Sequence, residues 1–166
     1  MSKKETETNG IKALPQSEEA EKALLGCLII GGEREQEIGM AWIRDDNAFH
    51  YEINRSVWKA LKDLYKNNIE IDFVTLSDKV KELSGESMAY YITGLAEAVP
   101  TTANVEQYAR IVWEKYIQRE TAKSAHQLVN ASYDDYRKVD AMLERHSKLI
   151  TELKEIQPSK IRDIED

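Results

Sequence analysis

Cysteine is almost missing from this chain: its 166 residues contain one, Cys27. A lone thiol cannot close an internal disulfide, which points to a reducing compartment, the cytoplasm. Proline is nearly as scarce, with only Pro15, Pro100 and Pro158, and no glycine follows Gly94. Because these two residues are the usual helix breakers, the chain beyond Pro100 is expected to be long, uninterrupted helix. No apolar run is long enough to span a membrane, and the opening MSKKETETNG lacks the apolar core of a secretory signal. Basic residues are outnumbered, 23 Lys and Arg against 30 Asp and Glu, leaving a net charge of −7. They are interleaved with acids, as in KKE near the start and ERHSK near Arg145. Nonspecific nucleic-acid affinity needs clustered cations, so little direct binding of DNA or RNA is expected.

The chemistry of common active sites is also missing. P-loop ATP hydrolysis requires a glycine-rich turn followed by Lys and Ser or Thr, because backbone amides must cradle the phosphates. None of the seven glycines precedes such a turn. His50, His126 and His146 lack the i, i+4 spacing that puts two metal ligands on one helical face. Asp45–Asp46 and Asp134–Asp135 are adjacent pairs before helices, which suits capping rather than acid–base catalysis. Cys27 falls on an apolar helical face, as a small buried hydrophobe would. No catalytic, cofactor-binding or metal-binding residue is expected in this chain, which leaves a small all-helical enzyme without a nucleophile, base or metal set.

What remains is a pattern of helices. Hydrophobic residues make up 42% of the chain, enough for a packed core, and charged residues 32%. SEEAEKALLGCLIIGG carries a cap at Ser17, acids in its first turn and a double-glycine stop. Its residues Ala20, Ala23, Leu24, Cys27 and Leu28 form one apolar face. Further helices are expected over Glu35–Ile43 and over Phe49–Lys66, the latter with Ile53, Val57, Ala60, Leu61 and Leu64 inward. Two more follow, one from Asp72 or Thr75 to Gly85 and one over Met88–Ala98.

After Pro100, Thr102 and Asn104 offer caps for a helix to about Ser132, and a turn at Asp134–Asp135 leads into a last helix. There Val139, Met142, His146, Leu149, Leu153 and Ile156 recur at steps of three and four, the spacing of a helix packed along another, with His146 at the edge of the seam. Two helices joined by a short turn make an antiparallel hairpin that cannot cover all its own apolar surface. Tyr108, Val112, Leu128 and Val129 must therefore meet the head or another copy, and self-association is expected. Trp113 has two readings, core or partner face. The expected architecture is all-α, a compact helical head followed by a long antiparallel helical hairpin. Its bounds are a flexible tail over 1–14, the head over 15–100, the hairpin over 101–157 and a linker over 158–166.

Three stretches are similar to the amino-terminal domain of DnaB-type replicative DNA helicases: LPQSEEAEKALLGCLI (14–29), IDFVTLSDKV (71–80) and YYITGLAEAVPTTANVEQYARIVWEKYIQRE (90–120). The third is the most specific, since a proline–threonine turn leading into ANVEQYARIV is not a generic helical pattern. The resemblance extends from about Leu14 to Ile156, and PSKIRDIED resembles the start of the linker toward an ATPase domain. The chain departs from the family over 31–47, at Asn54 where histidine is common, at His50 where tyrosine is common, and in SGESMAYY, which lacks a glycine pair.

The resemblance implies a chain that stops before the motor of a 5′–3′ helicase, the ATP and Mg²⁺ belonging to that parent enzyme. It implies hairpins that pair between subunits, as a dimer or as a trimer of dimers forming a collar, with Trp113, Val139, Met142, Leu149, Leu153 and Ile156 as the association set. It also implies a docking surface for the C-terminal domain of primase, and in some systems a loader, that includes Tyr91, Ala122 and Leu128. Ala122 is smaller than the aliphatic residue often found at its position. The alternative is a related module, a stand-alone phage adaptor or the helicase-binding domain of a primase, which shares this fold.

Overall fold

The computed structural model describes residues 13–155, so most of the expected tail, Ile156 and the expected linker lie outside the described residues. Seven α-helices are found among them: α1 (Glu18–Ile30), α2 (Glu33–Trp42), α3 (Glu52–Lys66), α4 (Phe73–Ser84), α5 (Ala89–Glu97), α6 (Val105–Ala131) and α7 (Tyr136–Glu155). No strand occurs in the described residues. Local signals set most boundaries. Ser17 accepts the Ala20 backbone N–H at 3.2 Å to open α1. Asp72 and Thr75 cap each other's backbone N–H, at 2.8 and 3.0 Å, to open α4. Gly85 closes α4 in the left-handed conformation, φ +78°, which glycine adopts without steric cost.

Helix α1 is the centre of the fold, with α2, α3, α5 and α6 packed around it. Its burial therefore exceeds the one face read from periodicity: Leu25 and Gly26 are buried along with Leu24, Cys27 and Leu28. A Cβ on Gly26 would lie 2.5 Å from the Leu95 carbonyl oxygen and 2.5 Å from Val99 Cγ2. That position lets α1 and α5 cross at close range. On α3 the inward set is Asn54, Val57, Trp58, Ala60, Leu61 and Leu64, whereas Ile53, expected inward, is 39% exposed. A short 3₁₀ turn, Asp46–Ala48, joins α2 to α3 and carries Phe49 into the core, its ring stacked on Trp58 at 5.4 Å.

The head does not end near Pro100, as the sequence suggested. The first half of α6 belongs to it, because Val105, Ala109, Val112, Trp113, Tyr116 and Arg119 are all buried. Beyond Arg119 α6 leaves the head and continues along α7 as the hairpin, while Leu153 near the end of α7 reaches the head's core. One unbroken helix of 27 residues thus serves both head and hairpin. It spans about 40 Å at 1.5 Å per residue, with no break at which the two parts can hinge.

Cys27 is fully buried, its Sγ–H directed at the Thr101 carbonyl at 3.9 Å. Burial pushes its thiol up to about 11, so the group stays neutral through the ordinary range. We expect alkylation of the native protein between pH 7 and pH 9 to lack the rise of a free thiol and to proceed only at the rate of opening. Rapid, pH-driven modification of Cys27 in a protein that remains folded would contradict this burial.

Candidate functional site

Polar groups on the inward faces of three helices converge on the segment between α2 and α3. Glu21 of α1 is 2% exposed, and its carboxylate accepts the backbone N–H of His50 at 2.7 Å and of Tyr51 at 3.4 Å. It thereby caps α3, whose N-cap residue Tyr51 makes no side-chain cap of its own, and places a negative charge at the positive end of that helix. Asn54 of α3, also buried, donates Nδ2–H to Glu21 at 2.8 Å and accepts the Tyr91 hydroxyl on its Oδ1 at 2.5 Å. From α6, Arg119 donates to the carbonyls of Pro15 at 3.1 Å, Asn47 at 2.7 Å and Ala48 at 3.0 Å.

Further bonds hold the same segment. Tyr116 donates its hydroxyl to Asp45 at 3.0 Å, and Arg55 donates to the Phe49 and His50 carbonyls. Asp46 accepts from Trp58 Nε1 at 2.9 Å and pairs with Lys62. Burial alone raises the Asp46 carboxyl, but Lys62 and the Trp58 N–H outweigh it and hold the group below its usual range. Burial also lowers the Arg119 guanidinium, opposed by the charge of Glu21. His50 is lowered by burial and by the Arg119 charge nearby.

Past Arg119 the hairpin turns at Ser132, whose backbone N–H returns to Leu128 O at 3.0 Å, and Asp135 opens α7 by accepting the Arg137 N–H at 3.0 Å. The stripe read from the sequence is turned toward α6 of the same chain. Leu153 is 7% exposed and joins the main core, and Leu149 packs against it. His146 crosses the seam, its Nδ1 lying 2.5 Å from Ser124 Oγ. The apolar side chains left outside lie toward the hairpin's end: Val129 at 54% exposed, Tyr133 at 88%, Tyr136 at 76% and Leu143 at 49%.

Residues 13–114, the head with the first part of α6, match the DnaB-like helicase N terminal domain family. The chain belongs to that family. It is 31% identical over 145 residues to the replicative DNA helicase DnaB of Geobacillus stearothermophilus, a match covering 84% of this chain and 31% of that protein. The identity and coverage are the same for the replicative DNA helicase DnaC of Bacillus subtilis (strain 168). The chain thus spans about a third of the length of these relatives. Its fold is similar to the crystal structure of the N-terminal domain of DnaB helicase from Mycobacterium tuberculosis, with a TM-score of 0.74 at 25% identity, covering 85% of this chain and 99% of that one.

Within this DnaB-type domain the sequence-derived residues fall in different places. Trp113 is corrected from partner face to core: it is 1% exposed, its ring 5.0 Å from that of Tyr116. Leu153 is likewise covered by its own chain, whereas Val139, Met142 and Leu149 are half-buried along the seam. Tyr91 is half-buried on α5, its hydroxyl bonded to Asn54, and burial raises its ionisation above the ordinary value. Ala122 is exposed and Leu128 half-buried on the distal part of α6. No hydrogen bond joins Tyr91 to either of them among the described residues.

Sequence reasoning missed Glu21, Asn54 and Arg119, the three buried polar or charged residues among those described. A signal for two of them was present. Arg119 continues the inward series 105, 109, 112, 116, and Asn54 heads the series 57, 61, 64, so each is a polar residue on a core stripe. Replacing Arg119 with Met removes all three carbonyl contacts while keeping the apolar stem. Hydrogen bonds to charged groups contribute about 1.5–3 kcal/mol each, partly offset by the desolvation of the charge, so we expect a loss of about 3 kcal/mol. Chemical denaturation of Arg119→Met would measure it, and a change below about 0.5 kcal/mol, the level of an ordinary surface substitution, would show that the grip is dispensable.

Proposed function

We propose that this chain is the collar of a hexameric replicative helicase: it assembles through its hairpin and docks primase, and in some systems a loader, during DNA replication. Membership of the DnaB-like N-terminal family supports this, and one observation carries it. The hairpin extends beyond the buried core of the head and carries four exposed apolar side chains toward its end, Val129, Tyr133, Tyr136 and Leu143. Apolar surface grouped at the end of a projecting helix pair suits an interaction element, and the head adds exposed apolar side chains of its own, among them Val74, Leu83 and Tyr90. The motor chemistry, with its ATP and Mg²⁺, belongs to the parent protein. By this reading the chain itself turns over no ATP, binds single-stranded DNA weakly given its net charge of −7, and works in the cytoplasm. Among the described residues no helix is long and apolar enough to cross a membrane.

The docking surface proposed for primase comprises Tyr91, Ala122 and Leu128. Their surroundings predict different behaviour on substitution. Tyr91→Phe strips the partner from a buried Asn54 oxygen, so it should lower stability by about 1–2 kcal/mol. Ala122 is open to solvent, so Ala122→Arg should leave melting unchanged and weaken binding of a primase C-terminal domain in calorimetric titration. Primase affinity untouched by both Ala122→Arg and Leu128→Asp, in folded proteins, would remove this surface from the docking role.

A further inference from the structure

Beyond Arg119 a groove of about 290 Å³ runs between α6 and α7, with Leu149 in its lining. The 2.5 Å contact between Ser124 Oγ and His146 Nδ1 fixes the register of the two antiparallel helices. Counted from that level, Glu120 lies near Glu152 at the end where α7 finishes, Lys123 near Lys148 in the middle, and Gln127 near Arg145 at the far end. Charges of the same sign therefore face each other across the groove. Its ion pairs run along single helices instead, Lys123 to Glu120 at 3.0 Å and Lys148 to Glu152 at 3.9 Å, and among the described residues none joins α6 to α7. The groove is thus acidic at one end and basic along the rest, and its own side chains do not close it.

The chain itself carries the complementary pattern. After Glu155 it continues as IQPSKIRDIED, residues 156–166. Proline cannot extend a helix and biases the residue before it away from helical backbone, so Pro158 gives the chain a place to reverse. Past it the cations Lys160 and Arg162 come first and the acids Asp163, Glu165 and Asp166 last, with Ile161 and Ile164 among them. A segment running back along α7 from that reversal sets the two cations at Glu120 and Glu152, and the acids at Lys123, Lys148 and Arg145. The reach is sufficient. From Glu152 to Arg145 the groove is about 10 Å long, and the stretch from Lys160 to Asp166 covers about 10 Å as helix or about 23 Å when extended.

We propose that residues 159–166 fold back onto the hairpin of their own chain and lie in this groove, cations at its acidic end and acids at its basic end. Two observations choose this occupant over another copy or a separate partner. The order of charges matches along the whole length, and the segment begins beside the end of the groove that suits its first charges. Exposed ion pairs are individually weak, but a tethered segment meets its site at an effective concentration on the order of millimolar, so several of them together suffice to seat it. Seated there, the segment supplies the link between α6 and α7 that the groove's own charges do not make, and the groove determines the direction in which the chain leaves the hairpin.

Disulfide trapping in the full chain tests this. Gln127 and Ala125 are both exposed but, two residues apart, lie on opposite sides of α6, and Gln127 is the one that lines the groove. Gln127→Cys combined with Asp166→Cys should close under mild oxidation about tenfold or more faster than Ala125→Cys combined with Asp166→Cys, because the seated segment raises the local concentration of its thiol. The product should be a single chain at every protein concentration, and Cys27 does not compete because it is buried. Adding Lys123→Glu and Lys148→Glu, both at exposed positions where melting should not change, should slow closure to the Ala125 rate. Equal rates at Gln127 and Ala125 would overturn the proposal, as would closure that survives the charge reversal. A disulfide formed between two chains, at a rate that rises with concentration, would give the groove to a second copy instead.

Discussion

A buried guanidinium must have its hydrogens satisfied, and meeting that demand at Arg119 ties together parts of the chain far apart in sequence. The side chain is 2% exposed and is bonded to carbonyls rather than to a carboxylate. Its partners are the residue two before the α1 cap and two residues of the turn between α2 and α3. Of these, the Ala48 carbonyl is buried, and without Arg119 it would lack a donor at a cost of about 1–3 kcal/mol. Glu21 does the complementary work on the same segment, accepting the N–H groups of His50 and Tyr51. The irregular stretch 45–51 is thus held from one side by a cation and from the other by an anion, and it positions Phe49 and Trp58 in the core between them.

The placement of Arg119 on α6 also determines how the hairpin is carried. It is the last buried residue of that helix before the chain leaves the head, and α6 continues without interruption into the hairpin. Leu149 and Leu153 of α7 return to the same core from the other side. A long helix isolated from its neighbours is only marginally stable in water, so anchorage at its base is what lets the hairpin stand as a defined projection. Head and hairpin are separate in shape and continuous in structure. That continuity makes the head's orientation follow the hairpin's.

Most of the helices were legible because their signals are local: the caps at Ser17 and Asp72, the left-handed Gly85, and the helix-compatible run after Pro100. The site was less legible because its determinants are tertiary. Ile53 looked like core by composition, yet tertiary packing placed Asn54 inside, where Glu21 and Tyr91 satisfy its amide. Trp113 was read two ways because periodicity places a side chain on a face without saying what covers that face. The stripe from Val139 to Leu153 was correct as a packing seam, but heptad spacing does not distinguish a partner helix in the same chain from one in another. Tyr91 was considered for a docking surface, and its hydroxyl turns out to be bonded within the head, a bond that no spacing rule encodes.

The claim on which the rest depends is that the clamp on residues 45–51 and the helix that bridges head and hairpin form one cooperative unit. Native-state hydrogen exchange at increasing denaturant measures this directly. The amides of His50 and Tyr51, held by the Glu21 carboxylate, should open with the same free energy and the same denaturant dependence as the amides of α6 around Tyr116 and Arg119. Exchange of His50 and Tyr51 by a low-energy local opening, while α6 stays protected to the global limit, would contradict it.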